Sequence, residues 1–258
     1  MTDFVRFLSG EQVIRLPHLD AAARPPTVQA VVAALGPVTG ELAAVLDGTA
    51  VTTPRTAAGS AVAVGAPAVP AGAEPGVPGS GTRAVAHARV IARVREPRTV
   101  RLWSPDPALR ARAARTLAAG PDLPVHAAGI AGEAVAGASP LAARTLGTTP
   151  VVRGEWPAPG CTVVGAGSCE PARREAGTEA VRRAVAAVVD TPREGLPADQ
   201  DPDPDPVPPG EVLTGRRGAR ASPDGVVHHS SVRNSVGPGI QDAAAARAVI
   251  RAAKEAHT

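Results

Sequence analysis

Gly79-Ser80-Gly81-Thr82-Arg83-Ala84 runs directly into Val85-Ala86-His87-Ala88-Arg89-Val90-Ile91-Ala92-Arg93-Val94. The first six residues fit the pattern G-x-G-x-x-[G/A]. The residues after them are helix formers that place Val85, Ala88 and Ile91 on one face. Further along, Thr99-Val100-Arg101-Leu102-Trp103 has the composition of a strand. Ser104-Pro105-Asp106-Pro107 then opens a helix to about Ala119, with Leu109, Ala113 and Leu117 aligned, and Val125 to Ala127 reads as a third strand. Glycine loop, helix, strand, helix, strand is the order of a dinucleotide-binding half.

The chemistry of such a loop is specific. Gly79 and Gly81 let the backbone approach a pyrophosphate, while the helix starting near Thr82 aims unpaired N–H groups and its positive dipole end at it. About twenty residues on, where an acidic residue would hold a free ribose 2′-hydroxyl, the chain has Ser104. With no acid there and Arg83 able to accommodate a 2′-phosphate, NADP is favoured over NAD. The residues before the loop argue the other way. Pro67, Pro70, Pro75 and Pro78 make Gly65 to Pro78 a linker, and Pro75 and Pro78 remove donors that a central parallel strand would use. On these residues alone an ordinary glycine-rich turn is an equal reading.

Composition limits the alternatives. Hydrophobic residues make up 44% of the 258, but 54 of them are alanine and aromatics are only 2%, so the core must come from close backbone approach and many small contacts. No apolar run reaches the length of a membrane span, and Met1 to Arg6 lacks the basic-then-apolar order of a secretory signal, so a cytoplasmic protein is expected. Cys161 and Cys169 form no disulfide framework and read as idle thiols. Lys254 is the single lysine among 27 basic residues, so amine chemistry has one candidate close to the C-terminus. The arginines are dispersed and almost no aromatics lie between them, which argues against nucleic acid as a partner.

Around this central segment, Thr27 to Val32 and Leu42 to Leu46 read as strands of an antiparallel hairpin across the Pro37-Val38-Thr39-Gly40-Glu41 turn, and Thr49 to Val64 reads as a helix. Ser9 is a candidate N-cap. Cys161 to Gly165 reads as a buried strand, and Pro171 to Val189 as a helix that closes in a short strand. Asp199 to Pro209 alternates Asp and Pro as an extended acidic loop, and Ile240 to Ala256 is an alanine-rich helix. His228-His229 lacks a third ligand at metal-binding spacing and reads as a surface-loop pair, so no metal is expected.

Four separated segments resemble the ornithine cyclodeaminase/mu-crystallin family. Leu8-Ser9-Gly10-Glu11-Gln12-Val13 is similar to its opening. Pro26-Thr27-Val28-Gln29 through Thr39-Gly40-Glu41 leads to Asp47-Gly48-Thr49-Ala50-Val51-Thr52-Thr53-Pro54-Arg55-Thr56-Ala57-Ala58, which follows its D-G-T-x-[LV]-T-x-x-R-T-A-A signature. Gly167-Ser168-Cys169-Glu170-Pro171-Ala172-Arg173-Arg174-Glu175 resembles its G-S-x-x-P-x-x-R-E element, and Ser235-Val236-Gly237 with Gln241-Asp242 its closing one. The resemblance implies an α/β fold in which a Rossmann-type NAD(P)-binding domain, 65–211, interrupts a small, truncated α/β dimerisation and substrate domain, 1–64 with 212–258.

The resemblance also implies a homodimer and NAD- or NADP-dependent hydride exchange at the Cα of a small-molecule amino acid or cyclic imine. Carried over by position, Arg55 grips a substrate carboxylate. Gly79, Gly81, Thr82, Arg83, Ser104, Thr145, Val164, Gly165 and Ser235 line the dinucleotide. Departures stand beside these matches. Between Ala23 and Pro26 the family carries several dozen residues with a substrate-binding arginine and a lysine, and these are missing here. The acidic base expected just before Pro171 is also absent; the neighbouring Glu170 is either a base or a solvated loop carboxylate. Two functions therefore compete: an active oxidoreductase or cyclodeaminase, and a non-catalytic member that binds a nucleotide or small ligand.

Overall fold

The structure, a computed structural model, describes residues 30–65, 74–120, 123–145, 147–165, 174–189, 207–216, 226–230 and 239–255. The chain divides into two compact units, Met1–Arg55 with Gly239–Thr258, and Thr56–Pro238. The expected boundaries were 64/65 and 211/212.

In the first unit, strands β1 (Val31–Leu35) and β2 (Leu42–Asp47) pair antiparallel, with Val31 opposite Asp47 and Ala33 opposite Val45. The hairpin expected from sequence is present, although its first strand starts later than Thr27, and residues 27–29 lie outside the described residues, as does Ser9. Asp47 ends β2 and caps helix α1 (Gly48–Gly65): its Oδ1 accepts from Thr49 N at 2.8 Å and Ala50 N at 3.2 Å. Such a cap contributes about 1 kcal/mol. Gly48 is required by space, because a Cβ there would stand 2.7 Å from the Ala30 carbonyl carbon. The C-terminal helix α7 (Gly239–Glu255) brings Ala246 against Leu46 and Val51, with Val32, Ala34, Ala44 and Val249 around them.

The second unit is built on a seven-stranded sheet in the order β5-β4-β3-β6-β7-β9-β8. Its strands are β3 (Gly76–Pro78), β4 (Val100–Trp103), β5 (Val125–Ala127), β6 (Leu141–Ala143), β7 (Thr162–Gly165), β8 (Ala184–Val189) and β9 (Val226–Ser230). Every neighbouring pair is parallel. Helix α2 (Thr82–Arg95) follows β3 and α3 (Pro107–Ala118) follows β4; the shorter helices are α4 (Ala131–Val135), α5 (Thr178–Arg182) and α6 (Pro209–Leu213). Alternation along the strands feeds two cores. Ala142 and Val164 join Val64, Ala88, Ile91, Leu102 and Leu117 on one face, while Leu141, Ala143 and Val163 join Val135, Val152 and Val181 on the other. Both faces are covered, which is why the strands read as apolar runs. Full burial of Ile91, Leu102, Leu117 and Leu141 stabilises the unit by about 2 kcal/mol each.

Four local expectations need correction. Gly76–Pro78 is a central strand, not linker. Its prolines bracket the strand core and serve through their carbonyls, Pro75 O accepting from Arg101 N and Pro78 O from Arg144 N, both at 2.8 Å, while Gly76 and Gly79 donate on either side. The expected helix from Pro171 to Val189 shrinks to α5, and Ala184–Val189 is strand β8, as suits an apolar, valine-rich run with no polar face. Leu109 is 48% exposed, although Ala113 and Leu117 on its stripe are buried. His228 and His229 lie in β9, between β7 and β8, instead of in a surface loop. Of the acidic stretch, Val207 bridges to Val188 and Pro209 starts α6; residues 199–206 lie outside the described residues. Among the described residues no helix is long and apolar enough to cross a membrane.

Candidate dinucleotide site

The chain passes from β3 outward to β4 and β5, then returns to β6 on the other side of β3. A crevice at the carboxyl ends of the strands, where the order reverses, is the place where open α/β sheets bind ligands. The glycine turn lies there. Gly79 has φ of 137°, donates to Trp103 O at 2.7 Å, and has no room for a side chain because a Cβ would run into the Arg144 carbonyl oxygen. Gly81 plays the opposite part. It is the N-cap of α2, with φ −75° and ψ 174°, and nothing lies within 4 Å of where its Cβ would be. No side chain caps this helix and its first turn carries no acid. Open space therefore faces the unpaired N–H groups of a helix start, an arrangement that favours an anion. Ala84, at the third position of the pattern, is fully buried against the turn.

At the end of β4, Ser104 is 4% exposed and its Oγ is joined to Ser80 Oγ at 2.8 Å, which ties the strand end to the glycine loop. The nearest acid, Asp106, is engaged as the N-cap of α3, accepting from Ala108 N at 2.8 Å and Leu109 N at 3.0 Å. Arg110 spans the carbonyls of Ser104 and Gly129 at 3.0 and 3.2 Å. On the other side of the switch point, Thr145 N donates to Glu175 Oε1 at 2.7 Å, and Ala143 and Gly165 are in register at the ends of β6 and β7. Val164 is buried in the core and its carbonyl accepts from Arg144 at 3.0 Å. The structure thus brings Gly79, Gly81, Thr82, Arg83, Ser104, Thr145, Val164 and Gly165 to one edge of one sheet. Glu170 and Ser235 lie outside the described residues.

Arg55 belongs to the first unit. It is 9% exposed, its Nε pairs with Asp242 Oδ1 at 2.9 Å, and its Nη1 donates to Gln241 Oε1 at 3.4 Å. The two signature segments quoted from the sequence are therefore in contact through these side chains.

Residues 16–257 match the Ornithine cyclodeaminase/mu-crystallin family. The chain belongs to that family. Ketimine reductase mu-crystallin of Mus musculus is 30% identical over 228 residues, which cover 87% of this chain and 69% of the relative. Among solved structures, a probable ornithine cyclodeaminase from Bordetella pertussis Tohama I aligns with a TM-score of 0.75 and 29% identity, over 84% of this chain and 71% of that one. An archaeal alanine dehydrogenase dimer with bound NAD aligns with a TM-score of 0.76 and 25% identity, over 91% and 74%.

This family member also carries a buried polar network that the sequence reading missed. His87, on α2, is fully buried; its Nδ1 lies 2.6 Å from Arg83 O and its Nε2 2.9 Å from Ser60 Oγ. A carbonyl can only accept, so Nδ1 carries the proton and Nε2 accepts from the serine hydroxyl. Ser60 Oγ in turn accepts from Arg144 Nη2 at 2.8 Å. Burial and the neighbouring Arg144 push the His87 pKa down to about 3. Burial also lowers Arg144, to about 10, partly offset by Glu175. A helical signal for His87 was available: Ala84, His87, Ala88 and Ile91 recur at i, i+3, i+4 and i+7, and all are buried. Elsewhere, Cys161 donates to Ala138 O at 3.2 Å and burial raises its thiol to about 12, leaving it inert.

His87 gives a pH dependence of defined sign. Its folded pKa lies below the ordinary value of about 6.5, so the unfolded chain binds the proton more readily. The stability this imidazole contributes is complete above about pH 6.5 and is lost as pH falls toward about 3, with a slope of roughly 1.4 kcal/mol per pH unit. Urea unfolding between pH 7 and 4 should show this slope as the difference between wild type and His87→Gln. Parallel pH profiles for the two proteins would contradict the assignment.

Proposed function

We propose that this chain holds a nicotinamide dinucleotide at the carboxyl edge of β3 and β6 and exchanges a hydride with the Cα of an amino acid or cyclic imine, as a reductase, dehydrogenase or cyclodeaminase. The observation that carries the reading is the uncapped start of α2 behind Gly79 and Gly81, at the point where the strand order reverses. An open helix start lined by main-chain donors fits a diphosphate. The mouse ketimine reductase and the NAD-bound archaeal alanine dehydrogenase support the same chemistry.

When bound, the cofactor supplies the hydride acceptor or donor. The residues of this chain bind and orient. Main-chain N–H groups at Gly81, Thr82 and Arg83 take the phosphates, and Ser104, fixed by Ser80, meets the ribose. With Asp106 engaged in capping α3 and Arg83 on the first turn of α2, a 2′-phosphate is tolerated and NADP is preferred to NAD. Thr145, Gly165 and Ser235 belong to the nicotinamide half. Arg55 grips the substrate carboxylate, with Asp242 and Gln241 holding its guanidinium in one orientation. Glu170 is the candidate base.

A second reading, a nucleotide-binding member without turnover, draws on Lys254. The only lysine in the chain lies in the last turn of α7, so no other amine is available for proton transfer. The hairpin supports a homodimer under either reading, because Val31, Leu35 and Val45 leave an exposed apolar face. Sedimentation as a monomer at micromolar concentration would contradict that assembly.

Purified protein should be titrated with NADPH and NADH through the fluorescence of Trp103, then offered cyclic imines and basic amino acids. Turnover that falls about a hundredfold in kcat/KM in Arg55→Ala is the expected result. Binding without turnover on the whole panel favours the second reading. A folded protein that neither binds nor turns over a nicotinamide dinucleotide contradicts both.

A further inference from the structure

We propose that Arg144 is an internal counter-charge for the phosphates of the bound dinucleotide, a positioning and specificity residue whose charge the protein itself offsets only in part. The inference rests on the reading of the crevice given above.

Arg144 is the first residue after β6. By strand alternation it follows Ala142 onto the face covered by α1 and α2, and it is 8% exposed. Its main chain builds the glycine turn. Arg144 N donates to Pro78 O at 2.8 Å, and its carbonyl oxygen is the atom that excludes a side chain at Gly79. Its guanidinium donates to Val164 O at 3.0 Å, to Ala143 O and to Ser60 Oγ at 2.8 Å, while Nε, also buried, has no hydrogen-bond partner. All three acceptors are neutral oxygens. Among the described residues no carboxylate forms an ion pair with this guanidinium. Glu175 is near enough to favour its charge, but one of that carboxylate's oxygens accepts from Thr145 N.

With His87 neutral, the network of Arg144, Ser60 and His87 carries one positive charge, which the nearby Glu175 carboxylate offsets without forming an ion pair with the guanidinium. A buried cation in this state is costly, and folded proteins keep such groups paired or use them. The hydrogen bonds connect this guanidinium to α2. From Arg144 they run through Ser60 and His87 to the carbonyl of Arg83, in the first turn of α2. The Arg83 side chain is a second cation within electrostatic reach of Arg144. Arg83 stands in the first turn of α2 and the main chain of Arg144 builds the turn before it, so an anion at the helix start is favoured by both charges and by the helix dipole.

Two measurements on the full-length protein test this. In Arg144→Met, which keeps the bulk and removes the charge, affinity for ADP-ribose should fall about tenfold while affinity for adenosine is unchanged. The ratio of the two is the deciding quantity, because it reports on folded molecules whatever the stability of the variant. Arg144→Lys should restore most of the ratio, since it returns the charge without the planar fork. An unchanged affinity ratio in Arg144→Met, or a ratio in Arg144→Lys as low as in Arg144→Met, overturns the proposal. Failure of wild type to bind ADP-ribose at all would instead remove the reading of the crevice on which the proposal stands.

Discussion

Around β3 there is no space for side chains at two positions. A Cβ at Gly76 would collide with the Ala134 carbonyl oxygen, and one at Gly79 with that of Arg144. The first contact lets α4 close over the sheet beside β3. The second brings the end of β6 against the turn that starts α2. With few aromatic side chains and 54 alanines, this protein gains contact by close approach of backbones, and the glycines are where the approach is closest. The site follows from that packing: Gly79 closes the turn inward, while Gly81, with open space before it, leaves the helix start bare for an anion.

The polar interior has a related logic. Arg144, Ser60 and His87 link β6, α1 and α2 by directed hydrogen bonds, and burial keeps the imidazole neutral. A fully apolar replacement would pack with less desolvation cost. The network persists beside a bare helix start, where a fixed positive charge acts on any phosphate in the crevice. Stability and ligand binding are coupled there through a single guanidinium.

Much of this was legible in the sequence. The hairpin, α2, β4, α3, β5, β7 and α7 follow from periodicity and turn chemistry, and the glycine pattern located the turn between β3 and α2. Strand β3 was not legible, because counting lost proline donors ignores that Pro75 and Pro78 still accept and that their neighbours Gly76 and Gly79 still donate. Strand β8 was hidden because Ala-Val-Ala-Ala-Val-Val suits a buried strand as well as a helix. Ser104 was placed at the end of β4 by its spacing from the loop, but its bond to Ser80 depends on the direction of a hydroxyl that no spacing rule gives. Arg144 escaped because a lone arginine in an Ala-rich run reads as surface, and only tertiary contacts show that it is enclosed. Asp242 and Arg55 were each quoted from separate motifs, and the structure explains their co-occurrence as one ion pair.

The central claim is that the start of α2 is a diphosphate cradle. Amide hydrogen exchange of the full-length protein, with and without saturating NADPH, reads it directly. Slowed exchange at Gly81, Thr82, Arg83 and Ala84 is expected. Binding that leaves these four amides unaltered, or that protects another edge of the sheet instead, would contradict the account.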